Sequence, residues 1–503
     1  MKSAAERLAF LVRRDHTLGN IMERLAAIHG HRPLVEEHRG RGTDDGLSLT
    51  HRQAAKRIAR WAGGVAAKTT PGDVVVVATP NGYQQLLLCL AVARAGAIPA
   101  PVNDAMRAEE IDHVVADSGA TFVLRSAHEV DGHEPLAKSV SAAGHDVAAL
   151  FYTSGTTGKP KGAALTHDAL VGALRGTAVY PNLIRHDEAV VSLPVAHIMG
   201  FVTLLGMAGA GIETYFLRRF DATAVLDAIE TRRASIFIGV PAMYRFLLDA
   251  GAADRDLGSI RLWASGADVM PPELAREFKR FGASARVPGI GDVGQAIFAE
   301  GYGMVETGGG VAAKISPPYL PMGLGDSVGF AIPGYRMRVV DDDGSDAGVG
   351  ETGELLVKGP GVLRGYWGDE DATKAVLDDD GWLRTGDLAK KGPFNSVMFA
   401  GRKKDVIKRG GFSVYAVEVE AVLEEHPAVV EAAVVGRPDD RLGEVPVAAV
   451  RLADGYDLVE ADLDAWIREQ LSHYKIPVHY IAVDDFPRTG TNKIQRREVA
   501  GLF

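Results

Sequence analysis

The residues that point most directly to chemistry form the string Tyr152-Thr-Ser-Gly-Thr-Thr-Gly-Lys-Pro-Lys-Gly162. It holds three glycines, five hydroxyl or phenol side chains and two lysines. Glycines let backbone N–H groups turn inward as a nest for an anion. The hydroxyls of Thr153, Ser154, Thr156 and Thr157 add donors, and Lys159 and Lys161 neutralise charge. Such a set suits a polyphosphate. It is not a Walker A loop, which needs four residues between its glycines and a Ser or Thr after the lysine. Here two residues separate Gly155 from Gly158, and Pro160 follows Lys159. A plain surface turn is the bland alternative, and it does not account for lysines and hydroxyls gathered at a strand exit.

The elements that must hold this loop read as alternating strands and helices. Val74-Val-Val-Val-Ala78 is a β-branched run, Pro80-Asn81-Gly82 is a turn, and 83–95 reads as a helix. A second apolar stretch at 97–102 completes a βαβ unit with a buried sheet. Similar strands are predicted at 189–193, 234–240 and 260–264. After about residue 320, Pro and Gly become frequent and β segments appear at 336–340 and 353–357, which reads as a β-rich subdomain ending near Gly401. The last hundred residues read as an α+β unit: helices over 417–425 and 460–472, strands over 429–435, 445–452 and 478–483. The fold class is therefore α/β. A large N-terminal domain over 1–401 combines βαβ subdomains with the β-rich one, and a small mobile domain over 402–503 follows.

Composition agrees with several domains. At 503 residues the chain exceeds one core, which stops growing near ~250–300 residues. A net charge of −10 argues against a nucleic-acid partner, which calls for a basic surface. Cys89 is the one cysteine, which fits a cytoplasmic setting, and it sits in the apolar stretch 86–93 as a buried helix residue would. That stretch falls short of the ~20 residues of a spanning helix. No transmembrane segment or secretory leader is predicted, while peripheral membrane contact is compatible with a lipid-like substrate. Monomer and homodimer are both compatible.

The 152–162 string resembles the signature of the adenylate-forming superfamily, which includes acyl- and aryl-CoA synthetases, adenylation domains and luciferases. The resemblance covers nearly the whole chain, with several motifs in the family's order. Gly301-Tyr-Gly-Met-Val-Glu-Thr307 is similar to the family's second signature. It implies that Tyr302 and Gly303 pack on adenine and that Glu306, with Thr153, holds the Mg2+ of ATP. Val305 stands where the family has a phosphate-donating threonine, and it cannot donate. Ser265, Gly266 and Ala267 resemble the adenine-side turn. Thr385-Gly-Asp387 and Arg402 resemble the ribose site. Lys404 falls at the family's hinge. Lys408, Gly410, Gly411 and Phe412 resemble the segment along the coenzyme A tunnel. Lys493 resembles the C-terminal catalytic lysine, with Asn492 in place of the usual glycine; asparagine tolerates left-handed backbone. His197 resembles the group beside the carboxylate that gates or orients the acid. No second His or Cys at ligand spacing makes it a metal ligand; a core histidine is the alternative.

The resemblance implies two half-reactions. A carboxylate attacks the α-phosphate of ATP, giving acyl-AMP and pyrophosphate, with Lys493, His197 and Glu306 as the catalytic set. The small domain then turns about Lys404, and a thiol takes the acyl group. Coenzyme A is the expected acceptor. A carrier protein is an alternative acceptor, and an inactive nucleotide-binding homologue is the alternative from another class. The segments after His197 and Glu306 offer Ile198, Met199, Phe201, Gly308, Gly309, Gly310 and Ala312 as pocket walls. These suggest a fatty or other apolar acid, aliphatic or bulky and cyclic.

Overall fold

The computed structural model describes residues 2–38, 46–103, 106–153, 160–180, 187–319, 327–393, 396–488 and 493–503. Ser154, Gly155, Thr156, Thr157, Gly158 and Lys159 of the expected phosphate loop, and Asn492, lie outside them.

The chain forms two compact units: residues 1–323, 331–336 and 358–383 make the first, and residues 324–330, 337–357 and 384–503 the second. The first is built on parallel strands. Pro33–Glu37, Glu213–Phe216, Glu188–Val191, Ile236–Gly239, Leu262–Gly266 and Ile297–Met304 lie side by side, each parallel to the next. Gly309–Ser316 then folds back antiparallel on Ile297–Met304. A smaller parallel sheet places Val74–Val77 between Ile98–Pro101 and Phe122–Leu124. All four valines of that central strand are buried, as expected where helices cover both faces. Helix Tyr83–Arg94 joins Val74–Val77 to Ile98–Pro101, completing the predicted βαβ unit. It is apolar on every side and buried almost throughout, Cys89 included. Among the described residues no helix is long and apolar enough to cross a membrane.

A third sheet carries the phosphate-side segment. Val147–Thr153 and Lys161–Thr166 form an antiparallel hairpin, and Gly365–Tyr366 pairs with the second strand. The expected phosphate loop is thus the connection of a hairpin, between Thr153 and its cross-strand partner Lys161.

In the second unit, Arg336–Val340, Thr352–Lys358, Leu383–Lys391, Val397–Arg402 and Ser327–Ala331 line up in that order. A separate sheet orders Phe412–Tyr415, Val406–Arg409, Gly443–Leu452 and Val429–Asp439, with Tyr480–Ala482 parallel to Gly443–Leu452. Helices Ala416–Glu424 and Glu460–Arg468 cover it through Val419, Leu423, Leu463 and Ile467. The junction Gly401-Arg402 lies inside this unit, where Val397–Arg402 runs into the short helical turn Lys403–Asp405.

Candidate active site

Strand Leu262–Gly266 carries the first site segment at its C-terminal end, where ligands bind in open parallel sheets. An aromatic cluster fixes the strand: Trp263 packs edge-on against Phe278 at 5.0 Å, and the Tyr244 hydroxyl donates to the Ala264 carbonyl at 2.7 Å. Ser265 is 5% exposed, and its hydroxyl has no hydrogen-bond partner among the described residues. Ala267 takes a φ of 69°, left-handed backbone that costs an L-residue roughly 1–2 kcal/mol. The unpartnered hydroxyl and the left-handed turn stand two residues apart at the end of the strand.

The neighbouring strand Ile297–Met304 carries Tyr302 and Gly303, and its register breaks between them. A Cβ at Gly303 would sit 2.0 Å from the Gly309 carbonyl oxygen, so only glycine lets the chain turn back here. The turn Val305–Thr307 follows, with Glu306 8% exposed. Thr307 is fully buried and its hydroxyl is committed to backbone: its one proton goes to the Gly309 carbonyl at 2.7 Å, with the Met304 carbonyl the other acceptor in reach at 3.0 Å, and it accepts from the Met304 N–H. It does not stand in for the missing threonine at Val305.

Glu306 has a partner that spacing in the sequence does not suggest. The Tyr366 hydroxyl donates to Glu306 Oε1 at 3.0 Å. Lys161 Nζ lies 5.5 Å from the Tyr366 ring centre and 3.3 Å from Asp369 Oδ2. Lys161, Glu306, Tyr366 and Asp369 therefore form one cluster, held by the pairing of Tyr366 with Ala163. The signal for Tyr366 and Asp369 in the sequence is weak: an aromatic-rich Gly365-Tyr366-Trp367 in a polar stretch. The phenol of Tyr152, which opens the string, donates to Asp117 Oδ2 at 2.9 Å.

The turn bearing Glu306 adjoins both strands of the phosphate-side hairpin. One buried carboxylate beside that hairpin fits a hard cation that arrives with a polyphosphate and keeps its own waters. Among the described residues no three acidic, His or Cys side chains cluster to hold a resident metal.

His197 caps helix Ile198–Ala210, its Nδ1 accepting the Met199 N–H at 3.3 Å, which puts the ring proton on Nε2. Met199 and Val202, one turn apart, face glycines: their methyl carbons lie 3.3 and 3.1 Å from where a Cβ would stand on Gly266 and Gly309. Ile198, Phe201 and Ala312, offered by the sequence as pocket walls, are instead buried core, with Phe201 edge-on to Phe151 at 5.2 Å. Positions 198 and 201 point to the side of the helix that packs inward, and 199 and 202 to the other. A cavity of about 990 Å³, bordered by His167, Arg364 and Lys374 and by Tyr366 and Asp369 of that cluster, holds none of the sequence-predicted site residues.

In the second unit, Asp387 and Arg402 are cross-strand partners and form an ion pair. Lys404 is exposed in the turn Lys403–Asp405, flanked by Lys403 on Glu354 at 3.1 Å and Asp405 near Arg496 at 3.8 Å. Gly410 and Gly411 both have positive φ and form the two-residue turn of the hairpin Val406–Arg409 to Phe412–Tyr415, as a type I′ turn requires. Phe412 is 54% exposed and stacks on Tyr474, and Lys408 Nζ bonds Ser413 Oγ at 2.8 Å. Lys493 is half-buried beside the bridge from Ile494 to Arg488, whose guanidinium grips Glu431 at 2.6 Å.

Residues 22–367 match the family model described as AMP-binding enzyme, and residues 418–493 match that of the AMP-binding enzyme C-terminal domain. A feruloyl-CoA synthase of Amycolatopsis sp is 33% identical over 97% of this chain and 100% of its own length. An indoleacetate–CoA ligase of Aromatoleum aromaticum is 36% identical over 70% of this chain and 66% of its own. Among solved structures, ATP-bound MatB from Rhodopseudomonas palustris aligns with a TM-score of 0.84 at 30% identity, covering 97% of this chain and 99% of that one.

Proposed function

This chain belongs to the AMP-binding enzymes, as an adenylate-forming acid–CoA ligase, and on that premise we propose that its acid is apolar and ring-bearing. The observation that carries this reading is the wall made by Met199 and Val202 against Gly266 and Gly309. The glycines let a thioether and a branched methyl close in on the strand ends, and those two side chains give an apolar face. The match to the feruloyl-CoA synthase over that enzyme's whole length supports an aryl acid over a fatty one.

In this reading the acid's carboxylate sits beside His197, whose Nε2–H orients it. The hydroxyls and lysines of the 152–162 segment bind the phosphates, Ser265, Gly266, Ala267 and Tyr302 bind adenine, and Asp387 with Arg402 binds ribose. Glu306 and Thr153 would hold Mg2+, which when bound neutralises phosphate charge. The ammonium of Lys493 stabilises the charge that develops as the carboxylate joins the α-phosphate. Movement about Lys404 then withdraws Lys493 and brings the 408–412 hairpin, with Phe412, toward the thiol's path.

The test is a pyrophosphate-exchange and thioester assay over ferulate, 4-coumarate, indoleacetate, octanoate, palmitate and malonate, with coenzyme A and a phosphopantetheinylated carrier as acceptors. A ring-bearing acid is expected to lead in kcat/KM by roughly tenfold, the scale of a modest apolar contact difference. Preference for palmitate or malonate overturns the acid assignment, and transfer to the carrier alone overturns coenzyme A as acceptor.

A further inference from the structure

We propose that Tyr366 is a positioning residue for adenylation, acting through Glu306 and Lys161 to set the metal side and the phosphate side of the ATP site together. The inference deepens the function proposed above and rests on it for the roles of Glu306 and Lys161.

Three contacts converge on one short segment. The Tyr366 hydroxyl donates to Glu306 Oε1 at 3.0 Å, across sixty positions of sequence. The face of its ring receives Lys161 at 5.5 Å, within cation–π range. Three residues on, Asp369 Oδ2 holds the same ammonium at 3.3 Å. Asp369 is itself fixed: its Oδ1 accepts the Ala372 N–H at 2.9 Å as the cap of helix Glu370–Val376.

The segment is also pinned to the hairpin that carries Lys161. Gly365 and Tyr366 pair with Ala164 and Ala163, and the Trp367 N–H donates to the Gly162 carbonyl at 2.7 Å. From the other side, the Leu363 N–H donates to the Glu306 carbonyl at 2.8 Å. Residues 363–369 therefore bridge the turn of Glu306 and the strand of Lys161.

The chemistry explains why a phenol serves. One oxygen of Glu306 is committed to a fixed donor, so the carboxylate keeps one orientation toward a cation. A phenol, ordinarily titrating at about 10, is a donor through neutral pH. A ring under the ammonium steadies Lys161 without adding a second negative charge to that of Asp369. Outer groups that orient metal-binding carboxylates commonly tune metal affinity by about 10–100-fold.

The experiment pairs Tyr366→Phe with Asp369→Asn. The first keeps the ring and removes the hydroxyl; the second keeps an acceptor for the helix cap and removes the charge. Magnesium dependence is read twice: by ATP–pyrophosphate exchange, and by equilibrium binding of ATP at graded MgCl2 with no acid present. For Tyr366→Phe the expected result is a rise of roughly tenfold in the half-saturating Mg2+, the scale of one hydrogen bond to a charged group. Thiolysis of added acyl-adenylate is expected to be unchanged. Asp369→Asn is expected to raise KM for ATP and leave the Mg2+ midpoint in place. An unchanged Mg2+ midpoint in Tyr366→Phe, or equal losses in exchange and thiolysis, overturns the proposal. If no acid supports exchange in the unsubstituted protein, the function proposed above fails, and the binding arm still decides the role of Tyr366.

Discussion

Arg402 Nε lies 3.3 Å from Asp387 Oδ1, and the two residues are direct partners in the antiparallel pairing of Leu383–Lys391 with Val397–Arg402. The carboxylate is 7% exposed and the guanidinium 45%. Behind the acid, Thr385 Oγ1 accepts the Asp387 N–H at 3.1 Å and donates to the Leu355 carbonyl at 2.7 Å. The acid is thus fixed by its own backbone and by a cation across the ladder, while the cation keeps access to water. The role proposed for this carboxylate is to accept from the paired hydroxyls of ribose.

Asp387→Asn is expected to raise KM for ATP by roughly 10–100-fold, since hydrogen bonds to a charged group contribute about 1.5–3 kcal/mol. The discriminating measurement uses 2′-deoxy-ATP. The unsubstituted enzyme should prefer ATP, and the variant should lose most of that preference. A uniform loss with the preference intact would remove ribose from the role of Asp387.

Lys493→Ala is expected to lower adenylation about 100–1,000-fold, the range for removing one group aimed at developing charge. Thiolysis of preformed acyl-adenylate should be nearly untouched. The segment is anchored by Arg488 on Glu431, so the backbone around the alanine keeps its place. Equal loss in both steps contradicts a role confined to the first.

Val305→Thr is expected to leave adenylation unchanged or raise it. Valine and threonine have the same shape, and the hydroxyl of Thr307, two residues on, is committed to backbone. A steep fall in exchange rate would show that the apolar side chain is itself required.

Gly303→Ala places a Cβ 2.0 Å from the Gly309 oxygen, in backbone that cannot step aside cheaply. Overpacking of this kind costs about 1–3 kcal/mol. A lower denaturant midpoint together with weaker ATP binding is expected. Full stability would mean that the turn can be rebuilt around a methyl group.

Stability should fall on acidification below about pH 6.5 through two buried histidines. Burial lowers His167 to about 4, against the opposing pull of Asp146 and Asp168, and burial with His51 nearby lowers His29 to about 3. Between the folded and unfolded values the unfolded chain binds more protons, so stability rises with pH there, by up to about 1.4 kcal/mol per pH unit per histidine. His167 Nδ1 accepts the Leu18 N–H at 3.0 Å, a bond that protonation removes. His167→Asn can keep an acceptor there and should flatten the dependence of the melting temperature on pH between 4 and 6.5. An unchanged slope would assign the acid sensitivity elsewhere.

The strands and helices were largely legible because their signals are local. Four consecutive valines at Val74–Val77 and an all-round apolar helix at Tyr83–Arg94 state their burial within a dozen residues. Motifs of consecutive residues were legible for the same reason: Gly301 to Thr307 folds as one strand end and turn, and Thr385 to Asp387 as one stretch of strand. The pocket walls were half legible. Met199 and Phe201 are equally apolar in the sequence, and only the rotation of their helix sends one to the glycines and the other to Phe151.

The sequence by itself determined the class of chemistry: clustered glycines, hydroxyls and lysines for phosphate, then acids and a late lysine in one family's order. The tertiary structure alone decided which side chains hold those groups in place. Tyr366 reaches Glu306, and Asp369 reaches Lys161, because Gly365–Tyr366 adds a short strand to the phosphate-side hairpin. Backbone pairing between distant segments follows no periodicity in the chain, so its consequences emerge only when the sheet forms.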